Sequence, residues 1–396
     1  MAYLYLEVWL AATTLDAALP RSVARGLRRS FIPRGPFVSA VRLEERPYGG
    51  FARGALPIGC RQCTEGAKMV LFVTGLCSFH CFYCPVSDEK MYTDVVYADE
   101  KRVLRDEDVL DEARAIGAKG AGITGGDPFD AIERTCHYIR LLKQEFGSQF
   151  HTHLYTVSTD AEKIRMLAEA GLDEIRFHVP PGLWGRASTS GYVGASRLAR
   201  SLGMTVGLEV PLLPDREEDL MKLLEWAESE GLAFVNLNEL EFSEANYGRM
   251  KRVGYETKHE LSYGVKGSDP AALRILERPS KITVQYCTSG YKDGWQLRER
   301  IKRRAENVAK PWDVVTEDGT LIKGILEGTD LERVMKELRE RYRVPKRLMG
   351  LAGDGKRLEI APWILEEIAP ELRMPAYLVE EYPTADGLEV ERTRLP

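Results

Sequence analysis

From residue 69 to about 243, short apolar runs alternate with longer amphipathic stretches, the pattern of parallel strands joined by crossover helices. Strands are expected at 69–75, 120–126, 150–158, 174–180, 205–213 and 233–242, with helices at about 106–118, 130–146, 160–170, 189–202 and 215–230. Asp106 and Asp160 suit N-caps, and Gly171 and Gly231 suit C-terminal stops. Six βα units make an α/β fold, either a doubly wound sheet or most of a barrel. Both place ligands at the carboxyl ends of the strands.

The flanks read differently. Residues 1–68 form an N-terminal extension with a Pro/Gly/Arg-rich middle, expected to be irregular and wrapped on the core. Its start, MAYLYLEVWLAATTLDAALP, has the look of a signal peptide but lacks a basic leader and carries Glu7 and Asp16, so a strand and a turn are expected there. Residues 244–280 make a long excursion after the sixth strand. From 281 to 396 an α+β accessory domain is expected: a strand KITVQY, a basic helix, a hairpin around Asp318-Gly319, another helix and a strand-helix-strand ending. The stretch 281–350 has sixteen Lys and Arg against eleven Asp and Glu, a net +5 in a chain of net −5. Its arginine-rich helix 298–310 is either a solvated face or a phosphate-contacting surface, and the second reading would make the substrate an RNA or nucleotide.

At 396 residues and 44% hydrophobic, the chain is long enough for one large core with one or two appended modules. No apolar stretch approaches the roughly 18 residues needed to cross a bilayer, so no membrane partner is expected. Seven cysteines, three of them within eight residues, suit metal ligation in a reducing cytoplasm better than a disulfide framework. Only nine Asn and Gln stand beside many Arg and Glu, a bias associated with thermophiles.

The three crowded cysteines, Cys77, Cys81 and Cys84 in CSFHCFYC, directly follow the first strand. Three thiolates on one loop can ligate three irons of a 4Fe-4S cube and leave the fourth open to a substrate or cofactor. Zinc is the rival, but one C-x3-C-x2-C triplet is poor tetrahedral zinc geometry.

The loop, with the aromatic Tyr83 before its last cysteine and a strand before its first, resembles that of the radical S-adenosylmethionine superfamily. CFYCP, TGGDP and the aromatic-histidine strand 150–158 look most like archaeal proteins related to the activating enzyme of pyruvate formate-lyase. The resemblance implies a partial (βα)6 barrel of TIM type and a 4Fe-4S cluster on Cys77, Cys81 and Cys84 whose open iron chelates S-adenosylmethionine. It implies an electron donor such as ferredoxin or flavodoxin, and a 5′-deoxyadenosyl radical that abstracts hydrogen from the substrate. Gly125, Gly126 and Asp127 match the family's Gly-Gly-Glu motif, which receives the methionine amino group, with Asp in place of Glu. Thr156 and Ser158 are candidates for the ribose. Glu209, like His178, Glu239 and Glu241, is a polar group at a strand end that suits ribose or substrate.

Cys60 and Cys63 form a C-x2-C pair, the spacing of two ligands on a metal knuckle, and Cys287 after KITVQY is a candidate third ligand. An auxiliary iron–sulfur cluster, a zinc ion and unlinked cysteines all stay open for these three. Cys136 shares a helical stripe with Ile132, Ile139 and Leu142 and is assigned to the core. Three functions follow from these readings: a radical enzyme acting on a protein or small molecule, a tRNA-modifying radical enzyme, or an iron–sulfur or zinc protein without turnover.

Overall fold

In the computed structural model, which describes residues 43–260, 262–353 and 355–396, all six expected strands form. They are β1 (Lys68–Phe72), β2 (Gly120–Thr124), β3 (His151–Thr156), β4 (Glu174–Phe177), β5 (Thr205–Leu212) and β6 (Phe234–Glu239). A seventh, β7 (Thr283–Cys287), pairs parallel with β6, so KITVQY extends this sheet instead of opening an accessory unit. The seven parallel strands lie side by side in chain order. Phe51–Arg53, in a stretch expected to be irregular, runs antiparallel along the free edge of β7. The expected strand at 1–20 lies outside the described residues.

The crossover helices follow from local signals. The helix Ala161–Ala170 begins where the Asp160 carboxylate accepts from the N–H groups of Glu162 and Lys163 at 2.9 and 3.1 Å, and ends at Gly171 in a left-handed conformation. Asp106 is the first residue of its helix and not the cap. Asp108 takes that work, accepting from the N–H groups of Leu104 and Arg105. The apolar faces of these helices and the outward faces of the strands share one core that includes Ile123, Ile139, Ile175, Leu208 and Leu220. Cys136 is buried in it.

A short helix, α1 (Ile58–Thr64), lies inside the curved sheet. A Cβ on Gly59 would fall 2.5 Å from His153 Nδ1 and 2.6 Å from an Arg176 nitrogen, so α1 lies close against the inward side chains of β3 and β4. The result is an α/β partial barrel of TIM type whose lumen is plugged by its own N-terminal segment. The chain then builds a second, antiparallel sheet from six strands between Val314 and Arg394, with helices Leu331–Arg341 and Pro362–Ile368 packed on it. The hairpin at Asp318-Gly319 forms as expected, with Gly319 at φ 89°.

The arginine-rich helix is neither a solvated face nor a phosphate platform along its inner side. Arg300 is buried and pairs with Asp99 and Glu100, each at 2.6 Å. Arg304 is buried against Glu112, and Arg303 donates to the carbonyl of Gly117. These three guanidinium groups are spent on holding the helix against the segment after β1.

Candidate active site

Beyond β1 the chain turns at Gly75, where any Cβ would overlap the carbonyl oxygen of Lys90, and enters the loop that carries Cys77, Cys81 and Cys84. The loop is gripped from several sides. The N–H and hydroxyl of Ser78 donate to one oxygen of Asp130 at 2.7 and 3.0 Å. Asn246 donates to the carbonyl of Tyr83 at 3.1 Å, and Arg249 donates to those of Phe82 and Cys84 at 3.1 and 3.2 Å. The phenol of Tyr83 meets His178 Nε2 at 2.8 Å, and Phe82 stacks on Tyr255. Asn246 and Arg249 were not singled out from the sequence. Nothing local marks them, because their task depends on a contact between segments more than 160 residues apart.

All three thiols are free and half-buried. Burial raises each of them, Cys77 to about 11, with the neighbouring Asp127, Cys81 and Cys84 pushing in the same direction. Burial also pulls His178 down to about 4, so its ring is neutral at pH 7.

The loop Gly125-Gly126-Asp127 after β2 is joined to this region through backbone. The N–H of Gly126 donates to the carbonyl of Thr74 at 2.7 Å, and that of Asp127 to Leu76 at 2.9 Å. A Cβ on Gly125 would overlap the Thr74 oxygen, and one on Gly126 the Leu76 oxygen. The two glycines are therefore demanded by a seam between the two loops, a reason that precedes any ligand. The Asp127 carboxylate, expected at the cofactor, is turned inward: it accepts from the N–H of Phe129 at 2.9 Å, the N–H of Val157 at 3.0 Å and the hydroxyl of Thr156 at 2.9 Å. Thr156, expected at a ribose, thus has its proton committed to Asp127, and its oxygen accepts from the N–H of Ser158. Ser158 Oγ accepts from the N–H of Asp160 in a local turn.

Deeper in the barrel the alternation of β3 is resolved. His151, His153 and Tyr155 face the lumen, and Thr156 faces away from them. His151 Nδ1 lies 2.9 Å from the ammonium of Lys68; burial pulls Lys68 down to about 7 and, with the Lys68 charge, His151 down to about 3. Arg176 bridges Glu174 and Glu209 at 2.6 and 3.0 Å. Glu209 also accepts from Asn236 at 2.8 Å and Asn238 at 2.7 Å, so this expected cofactor contact is locked into a lumen network. Glu239 is paired with Lys258 and accepts from the N–H of Ser289, and Glu241 pairs with Lys292 at 3.0 Å. Glu239 thus pins the excursion after β6, and Glu241 holds the segment after β7.

Cys60 and Cys63 lie on α1, and Cys287 ends β7 beside Asn238. The Cys60 sulfur accepts from Asn236 at 3.2 Å and Arg176 at 3.5 Å. Among the described residues, no three Cys, His, Asp or Glu side chains are already closed into a metal-ligand set. The loop at Cys77 and the lumen group alike present donors without a finished cage.

These features define a class: an α/β partial barrel with three free cysteines on the loop at the carboxyl end of its first strand. The model of the radical SAM superfamily matches residues 71–227. A protein of Methanocaldococcus jannaschii, named provisionally as a glycyl-radical enzyme activating enzyme, is 40% identical over 357 residues, covering 86% of this chain and 93% of its own. The chain belongs to the radical S-adenosylmethionine superfamily, and a 4Fe-4S cluster and S-adenosylmethionine are the cofactors that membership implies. A domain of unknown function matches residues 319–395. Among solved structures, Streptococcus suis SuiB bound to S-adenosylmethionine is 13% identical, covering 57% of this chain and 50% of that one, with a TM-score of 0.39. Methylornithine synthase (PylB) is 16% identical, covering 55% and 66%, with a TM-score of 0.37. The match thus spans about half of the SuiB chain. No described helix is long and apolar enough to cross a membrane.

Proposed function

We propose that the chain abstracts hydrogen from a polypeptide substrate laid over the barrel mouth, with Cys77, Cys81 and Cys84 holding the iron–sulfur cluster. The carrying observation is the seam between the cysteine loop and Gly125–Asp127, which brings three thiols on one loop and a strand-end backbone cradle together at the mouth. The donor set fits: three free thiols on one loop can serve three irons and leave the fourth iron open. When bound, the cluster and S-adenosylmethionine supply one-electron C–S cleavage and a 5′-deoxyadenosyl radical.

The protein's own part is positioning. Asn246 and Arg249 fix the carbonyls of the loop, so its sulfurs are presented from a set backbone. Phe82 and Tyr255 cover the loop on one side and keep water away. The carbonyls of Gly125 and Gly126 are left to receive the cofactor, since the Asp127 carboxylate and the N–H groups of Gly126 and Asp127 are occupied. Two observations support a polypeptide over a small metabolite. Helix α1 takes up part of the lumen, and Leu76, Phe79, Tyr92, Tyr247 and Val253, all exposed, lie on the cysteine loop and the segments around it. The related protein's name points to a protein substrate as well.

The test is direct. Anaerobically reconstituted protein, reduced with dithionite in the presence of S-adenosylmethionine, is expected to release 5′-deoxyadenosine, and Cys81→Ala to abolish it. Undiminished product from the variant, or none from well-loaded wild type, would sink the reading.

A further inference from the structure

Four cysteines lie outside the Cys77–Cys84 loop, and the fold treats them unequally. Cys136 is packed among Ile132, Ile139 and Leu142, the setting of an inert structural thiol. Cys60 packs beside Ala52 and Leu56 but also meets Asn236 and Arg176, Cys287 lies 3.9 Å from the Gln296 amide, and these two and Cys63 come from segments on opposite ends of the barrel sequence. Helix α1 brings Cys60 and Cys63 into the lumen. Strand β7 brings Cys287 to the register position of Asn238, whose amide donates to the lumen carboxylate of Glu209.

We propose that Cys60, Cys63 and Cys287 are ligands of a second, thiophilic metal centre in the barrel lumen, a zinc ion or an iron–sulfur cluster. Three observations carry this. The C-x2-C pair sits on one turn of helix, as two neighbouring ligands require, and β7, which ends at Cys287, pairs with Phe51–Arg53 just before α1. The Cys60 sulfur accepts from Asn236 and Arg176, both of which also serve Glu209, and such donors suit a thiolate. Asn236 is 3% exposed, and its Oδ1 has no hydrogen-bond partner while its Nδ2 rests on Cys60, an orphaned buried acceptor on the wall of this compartment. Arg176, buried and donating to the Cys60 sulfur, is a cation that faces part of the charge three thiolates would bring. On ligation each thiol gives its proton to solvent. Among the described residues no three such donors stand within reach of one metal ion, so ligation requires α1 and the end of β7 to draw together.

The compartment is also connected to the first site. Tyr83 meets His178, His178 Nδ1 meets the Glu209 carbonyl at 3.1 Å, and the Glu209 carboxylate is joined through Asn236 and Arg176 to Cys60.

The test uses the full chain with Cys77, Cys81 and Cys84 all changed to Ala, loaded anaerobically with iron and sulfide or, separately, with Zn²⁺ alone. Metal and acid-labile sulfide are then counted per chain. Retained metal is expected, with sulfide for a cluster and without it for zinc. Adding Cys60→Ala or Cys287→Ala is expected to lower retention to about a tenth, while adding Cys136→Ala leaves it unchanged. A folded triple variant that binds no metal, or retention indifferent to Cys60→Ala and Cys287→Ala, would overturn the proposal. Equal metal in the triple variant and wild type would place it all in the lumen, upholding the second site and removing the first. If the added substitutions unfold the chain, X-ray absorption of the Zn-loaded triple variant decides: three sulfur neighbours support the site, and a shell of nitrogen and oxygen only overturns it.

Discussion

The phenol of Tyr83 donates to Nε2 of His178 across 2.8 Å, tying the residue before the last loop cysteine to the end of β4. His178 Nδ1 is 3.1 Å from the carbonyl of Glu209, which makes it the protonated nitrogen and leaves Nε2 as the acceptor. The cysteine loop is thus anchored on a neutral, buried imidazole.

That neutrality has a pH signature. An unfolded histidine binds its proton near 6.5, and His178 only near 4. Between these values the unfolded state binds more protons, so this contribution is present above 6.5 and is lost as pH falls towards 4. Denaturant unfolding across pH 4–7 is expected to show a slope smaller by up to about 1.4 kcal/mol per pH unit in His178→Gln than in wild type. An unchanged slope would remove His178 from the account. Tyr83→Phe, which leaves Nε2 buried without a donor, is expected to cost about 1–3 kcal/mol.

Gly126→Ala tests the seam between the two loops. Its Cβ would overlap the Leu76 carbonyl, which is backbone and can yield only by moving the cysteine loop. Release of 5′-deoxyadenosine is expected to fall by about tenfold or more, with the far-UV spectrum retained. Wild-type turnover in the variant would show that the seam is not needed.

Asp127→Asn separates bracing from cofactor contact. The carboxylate accepts three hydrogen bonds from Phe129, Val157 and Thr156, and an amide nitrogen in place of one oxygen would face a donor. A stability loss of about 1–3 kcal/mol is expected, with weaker S-adenosylmethionine binding measured by calorimetry. Weakened binding at unchanged thermal stability would instead indicate direct contact by the side chain.

Arg300 tests the fate of the basic helix. Its guanidinium is buried between Asp99 and Glu100, and Arg300→Met would leave both acids without it, at about 3–5 kcal/mol in thermal or denaturant unfolding. Bulk tRNA added to the wild-type protein at low salt is expected to produce no shift. A salt-sensitive shift would revive RNA as the substrate.

Much of this protein was legible along the chain. The alternation of apolar runs marked β1 to β6 and their helices, because period and length are local properties of each segment. Asp160 and Gly171 read correctly as a cap and a stop, since those interactions close within four residues. The cysteine spacing likewise pointed to the radical S-adenosylmethionine family, and the 40% identical relative bears that out.

What the tertiary structure alone decided were the interactions that close across distance. KITVQY looked like the start of a new unit, and only its parallel pairing with β6 made it part of the barrel. Thr156 and Asp127 each looked free for a cofactor, yet they satisfy one another across two strand ends, because a buried carboxylate takes the nearest donors. The arginines of 298–310 looked like a charged surface, and buried acids far away in sequence drew two of them, Arg300 and Arg304, inward.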